Sequence, residues 1–266
     1  MTQTVAPVNR WDERRRRAGE LQERYPFASG VLSFYARVVE VQQRAFFAAE
    51  RDSPKPSEAV AYAVEAVLPN VIELSTASGP PPLAGAVVER FHEADMHDVI
   101  ARWLRGDDLD GVDRFMARAA AMPVLQALGA GAAQACTGPK NDRRCPLCGG
   151  IPQLSFFAPA PEDLVTGRRY LECSRCESVW TFARITCAYC GETESSRLQF
   201  FDEVEHALFP HMRIDACATC SRYLLTVDLG RDRRAVAQAD EIAAIPLDIY
   251  AKELGLKKTV PNIVGF

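Results

Sequence analysis

Long apolar runs are missing from this 266-residue chain. The nearest approach, Ala119–Cys136, is rich in Ala and Gly and is broken by Pro123, Gln126 and Gln134, so no segment reads as a membrane span. A basic excess is missing too: 31 Lys and Arg stand against 35 Asp and Glu, a net charge of −4. That balance weighs against a nucleic-acid partner, which calls for a basic face. No export signal is read. The Arg14–Arg17 run is followed by Ala-Gly-Glu-Leu-Gln-Glu-Arg where an apolar region would stand, so it is not a twin-arginine leader. No Gly-rich phosphate loop, Ser/His/Asp arrangement or open metal position argues for hydrolysis or group transfer, and no catalytic or organic-cofactor residue is expected. Histidine is scarce, with four in the chain. His92 and His97 are five apart, not the four that put two ligands on one helical face. His206 and His211 are assigned to a loop surface.

Cysteine, by contrast, is concentrated. Eight of the nine fall between Cys145 and Cys220 as four Cys-x-x-Cys pairs: Cys145/Cys148, Cys173/Cys176, Cys187/Cys190 and Cys217/Cys220. Each pair curls the backbone so that two thiolates face one point, and two pairs complete a tetrahedral S4 shell for zinc or iron. The arrangement repeats, with 28 residues from Cys145 to Cys173 and 30 from Cys187 to Cys217. Gly149 and Gly191 follow the first pair of each half, and strand-like runs follow the second pairs (178–185 and 222–229). This reads as a duplicated rubredoxin-like or zinc-ribbon unit binding two metal ions. The repeat favours pairing first with second and third with fourth. Pairing second with third stays open, because only ten residues separate Cys176 from Cys187. A unit this small has little core of its own, and an S4 metal site contributes on the order of 10–16 kcal/mol to folding such a unit. The odd cysteine count and the spacing favour thiolates in a reducing, cytoplasmic compartment over disulfides. Zinc and iron use the same ligands; dithiol exchange at an exposed pair is the redox alternative. Cys136 stands outside the repeat and reads as a small buried apolar residue.

Before the cysteines the pattern is helical. Arg10–Arg24 reads as a charged surface helix with the Arg run solvated. Val31, Phe34, Tyr35, Val38, Gln42, Ala45 and Phe46 stripe a helix capped by Ser29. A helix from Ser57 is expected to stop before Pro69, Pro82–Arg105 to form one long helix with Phe91 inward, and Asp110 to cap a last helix that kinks or breaks at Pro123. Residues 84–113 hold eight Asp and Glu against three Arg, read chiefly as a solvated face and more sharply as an acidic surface for a basic peptide. The expected fold is α+β and multidomain. It comprises a helical domain (1–140), two tandem rubredoxin-like units (141–186 and 187–230) and a short C-terminal segment packed on the rest (231–266).

The whole pattern resembles the FdhE family of formate dehydrogenase accessory proteins. The resemblance is carried by Tyr25-Pro-Phe, Leu32-Ser-Phe and Val41-Gln-Gln, by Arg144-Cys-Pro-Leu-Cys-Gly149, and by Trp180 with Arg184-Ile-Thr-Cys-Ala-Tyr-Cys-Gly191. It is closest in Tyr223-Leu-Leu-Thr-Val-Asp-Leu229, Ile245-Pro-Leu-Asp248 and Pro261-Asn-Ile-Val-Gly-Phe266. It implies a cytoplasmic assembly factor, not an enzyme, that binds the catalytic subunit of a formate dehydrogenase, including its twin-arginine signal region. It also implies iron at the cysteine sites, and it allows a homodimer. The alternative is a rubredoxin-like electron-transfer or thiol-redox protein acting on that client.

Overall fold

Apolar residues at helical spacing build the first half of the chain. The computed structural model describes residues 7–159, 167–202 and 208–265, with side chains from residue 10 onward. His206, Phe266 and most of the 159–163 loop lie outside the described residues. Helix α1 (Pro7–Arg24) packs along α2 (Ser29–Asp52), whose stripe Leu32, Tyr35, Val38, Val39, Gln42 and Phe46 is buried. A short α3 (Ala59–Tyr62) passes through a π turn (Ala63–Val67) into α4 (Leu68–Ser78). The expected stop before Pro69 does not occur: Pro69 lies in the first turn of α4, where a missing N–H costs little, and the π turn absorbs the join.

The expected long helix is two, α5 (Pro81–Glu93) and α6 (Met96–Arg105). The break is chemical. Asp95 adopts an extended conformation and accepts the His97 backbone N–H at 2.9 Å, capping α6. The break also turns Phe91 outward, leaving it 39% exposed. Helix α7 (Gly111–Leu128) is capped by Asp110, as the sequence suggests, and every residue from Phe115 to Leu125 is buried. It runs through Pro123 without a break. Pro123 cannot donate to the Ala119 carbonyl, and Gln42 of α2 supplies a donor to that oxygen at 3.4 Å. The polar member of the α2 stripe thereby has its reason. A last short helix, α8 (Ala132–Ala135), leads to the cysteine region.

The two duplicated units share one sheet. Strands β1 (Pro152–Phe157), β2 (Arg169–Cys173) and β3 (Val179–Thr181) come from the first, and β4 (Leu198–Asp202), β5 (Met212–Cys217) and β6 (Arg222–Asp228) from the second. Their order is β3-β2-β1-β6-β5-β4, antiparallel within each unit, with β1 parallel to β6 at the join. Strand β3 is shorter than the expected Ser178–Ile185. After the sheet come α9 (Ala237–Ala243), α10 (Ile245–Glu253) and β7 (Lys257–Lys258), which pairs with the start of β6 while β1 takes its end. Val260 and Ile263 of the apolar tail are buried. One apolar core runs from Trp11 of α1 through α7 to Ile214 of β5 and Ile263 of the tail. The helices cover the middle of the sheet, with α9 on β1 and β6 and α10 on β5, so the matching strands differ: β1 is central and almost wholly buried, whereas β4 is a largely exposed edge.

The Arg14–Arg17 run is not a solvated face. Arg14 and Arg17 are buried, while Arg15 and Arg16 point outward. Arg17 Nε and Nη2 bind Asp240 of α9 at 3.0 and 2.6 Å, and Nη2 also reaches Asp232 at 3.0 Å. His211 is likewise no surface residue: it is 2% exposed and its Nε2 lies 2.8 Å from the same Asp240. A buried carboxylate needs such partners, and they lie too far along the chain for local pattern to reveal.

Candidate metal centres

The fold brings the eight thiols into two sets of four, Cys145/Cys148/Cys173/Cys176 and Cys187/Cys190/Cys217/Cys220, with all sulfurs of a set within 4.8 Å of one another. The pairing is first with second and third with fourth; the alternative of second with third is not what the chain adopts. Each set sits where a hairpin opens. The leading pair forms a loop closed by Cys145 N–H to the Gly150 carbonyl at 2.8 Å, and by Cys187 N–H to the Glu192 carbonyl at 2.8 Å. Gly149 (φ +72°) and Gly191 (φ +85°) end these loops in the left-handed region, the reason for glycine there. The trailing pairs end on Glu177 (φ +55°) and Ser221 (φ +52°), non-glycine residues in the same conformation.

Sulfur spacing tests the fit to a metal. Cross-pair distances are 3.7 Å (Cys145–Cys176), 3.4 Å (Cys148–Cys173), 3.8 Å (Cys187–Cys220) and 3.7 Å (Cys190–Cys217). A tetrahedron with metal–sulfur bonds of about 2.3 Å has edges of about 3.8 Å. The donor set and its spacing therefore suit one zinc or iron ion each. In the first set, packing makes three thiols harder to ionise, while bonds from those three make Cys145 easier. Burial, then hydrogen bonds from its neighbours, push the Cys173 thiol well above its usual range. Bonds from Cys136 and Cys145 push Cys148 up to about 12. A divalent ion removes that penalty by holding thiolates outright.

The two centres differ in setting. The first is buried at all four cysteines; in the second only Cys217 is, and the other three are half-buried. A shallow cleft opens beside Cys187 and Cys217, lined by Arg169, Arg222 and Tyr189. Arg222 stacks on Tyr189 at 4.1 Å. Arg169 binds Asp215 at 3.0 Å and the carbonyls of Ala183 and Thr186 at 3.2 and 3.0 Å, which fixes the approach to Cys187. Around the first centre, Arg175 donates to the carbonyls of Leu104, Thr137 and Cys148 at 3.2, 3.0 and 3.2 Å. A Cβ on Gly150 would lie 2.6 Å from Cys173 Sγ, so that position must be glycine.

In the sequence Cys136 stands apart from the repeat as a small apolar residue. It is buried, but beside Cys148, whose hydrogen bond lowers its thiol pKa with help from Arg175. Nothing next to it in sequence signals this. Gly150 and Arg175 likewise carry no signal in the local sequence, whereas Glu172 and Glu177 stand out as acids flanking a cysteine pair.

The centres also carry the relationship to known proteins. The family model described as "FdhE, central domain" matches residues 144–184, and that described as "FdhE, C-terminal domain" matches residues 185–264. Residues 144–264 thus match both of these FdhE domains. An FdhE homolog of Aquifex aeolicus is 35% identical over 122 residues, 46% of this chain and 41% of that protein. One from Pseudomonas aeruginosa is 35% identical over 121 residues, 45% of this chain and 38% of that protein. The matched segment thus spans about two fifths of these FdhE relatives. The crystal structure of the FdhE protein from Pseudomonas aeruginosa has the same fold, with a TM-score of 0.67 at 22% identity over 98% of this chain and 97% of that one. The FdhE resemblance in fold therefore includes the helical half, which the family models leave unmatched.

Proposed function

We propose that this chain is an accessory factor for a formate dehydrogenase, binding its catalytic subunit before the enzyme becomes active. The observation that carries the reading is the FdhE central and C-terminal match across both cysteine sets. In this reading the eight cysteines hold two metal ions, iron or zinc, and the metals are structural. No described helix is long and apolar enough to cross a membrane, in keeping with a factor that meets its client in the cytoplasm. Acidic residues at the α5–α6 break give the client's basic signal region a place to land. Glu89, Glu93, Asp95 and Asp98 are all exposed there, beside exposed Phe91. Such attraction acts within a Debye length of about 8 Å at physiological salt.

The test is affinity purification of the protein prepared without oxygen, with metal content and co-purifying proteins measured together. The expected result is two metal ions per chain and a large oxidoreductase subunit. Recovery of the metal-loaded protein without such a subunit would remove the reading. Replacing the four acids by their amides is expected to weaken capture at low salt and to change little at high salt.

The exposure of the second centre supports a second reading, electron transfer to the client through iron. That reading requires a reversible colour change on reduction. Stoichiometric colourless zinc would leave it without a carrier.

A further inference from the structure

The trailing cysteine pairs are flanked differently in the two repeats. The first reads Glu172-Cys-Ser-Arg-Cys-Glu177 and the second Ala216-Cys-Ala-Thr-Cys-Ser221. The three charged residues found only in the first all reach out of the sheet. Glu177 enters between α1 and α7, where its carboxylate binds buried Arg14 and accepts Gln126 Nε2 at 2.7 Å. Arg10 of α1 donates to the Glu177 carbonyl at 3.3 Å and to Glu172 Oε2 at 3.0 Å. Glu172 also binds Gln238 of α9. Arg175 joins the end of α6 and the chain after α8 to the leading loop of the same centre, through the carbonyls of Leu104, Thr137 and Cys148. Gly106 leaves the room, since a Cβ there would meet Arg175 Nη2 at 2.1 Å. No charged side chain occupies the corresponding positions of the second centre.

We propose that the first centre is a metal-dependent clasp: the ion held by Cys145, Cys148, Cys173 and Cys176 fixes the 172–177 turn in the shape that docks the helices on the sheet. The inference rests on both thiolate sets being metal centres. Its physical basis is that buried carboxylates are tolerated only when their partners are well placed. Glu177 is placed by a left-handed backbone that a non-glycine residue adopts only under constraint, and closure of Cys173 and Cys176 on one ion supplies the constraint. The turn of the second centre instead meets β7, whose Lys257 N–H donates to the Ser221 carbonyl at 2.9 Å. Coupling of this kind is reciprocal: if the metal holds the helices, the helices hold the metal by the same factor.

Two variants of the whole chain test this after metal content is measured in the wild type. Fewer than two ions per chain there would remove the metal reading and the clasp with it. In Cys148→Ser, amide hydrogen exchange across α1 and the second half of α7 is expected to rise about tenfold or more, whereas Cys190→Ser leaves it unchanged. Glu177→Gln keeps all eight ligands. It is expected to release one of its two ions to a chelator about tenfold faster than wild type, with the other ion's rate unchanged, within the usual 5–150-fold range of such couplings. Equal loosening of α1 by both cysteine variants, or unchanged release of both ions from Glu177→Gln, would overturn the clasp.

Discussion

Gly150 and Gln42 show how single residues are fixed by partners far away in sequence. The hydrogen that stands for a side chain at Gly150 is all the space Cys173 Sγ leaves. Gly150→Ala is therefore expected to reduce bound metal from two ions to one per chain, read by elemental analysis. Full metal content would show that the loop can shift. Gln42 answers the carbonyl that Pro123 frees. Gln42→Leu is expected to destabilise the protein by about 1–3 kcal/mol in denaturant unfolding, the cost of a buried acceptor left without a donor. In a double variant with Pro123→Ala the two effects should fail to add, because the helix then satisfies its own carbonyl. Gly149 and Gly191 were legible in the sequence because a turn after a cysteine pair is local. Gly150 and Gln42 were not, since the groups that constrain them are 23 and 77 residues away.

At the scale of elements, α1 is the instructive case. Trp11, Arg14, Ala18, Leu21 and Tyr25 follow the spacing of one helical face, with Arg17 alongside, and all six are buried. The arginine run hides that face because its middle members are outward. What buries Arg17 is Asp240, whose carboxylate also meets His211. Burial pushes the Asp240 carboxyl upward, but the bonds from His211 and Arg17 outweigh it and hold the group below its usual value. A lowered carboxyl stabilises the fold at pH values above its unfolded value of about 3.9, and that contribution is lost as pH falls through the lower folded value. Asp240→Ala is expected to cost about 3–5 kcal/mol at pH 7, as a broken buried pair does. The variant's stability should also fall less than that of wild type between pH 5 and pH 2. Parallel acid profiles would show that Asp240 does not titrate with unfolding.

For the whole molecule, the continuous core from Trp11 to Ile263 and the shared sheet argue for one cooperative unit. Far-ultraviolet circular dichroism, which reports mainly on the helices, and the fluorescence of Trp11, Trp103 and Trp180 are expected to change together in denaturant while the metals stay bound. Separate midpoints would mean that the helices and the sheet unfold independently.

The sequence by itself determined which atoms form the candidate centres and how many centres there are. Cys-x-x-Cys spacing is local geometry, and duplication of that spacing carries the pairing. It also determined the helical character of the first half, through apolar periodicity, and the FdhE resemblance. Only the tertiary structure decided that two similar repeats end in different settings, one buried beneath helices and the other at a half-exposed edge. It alone decided that Arg14, Arg17 and His211 are interior. The reason is physical. Ligand spacing and helical period act over a few residues, whereas neutralising a buried charge depends on partners such as Arg14 and Glu177, 163 residues apart, which only the folded chain brings together.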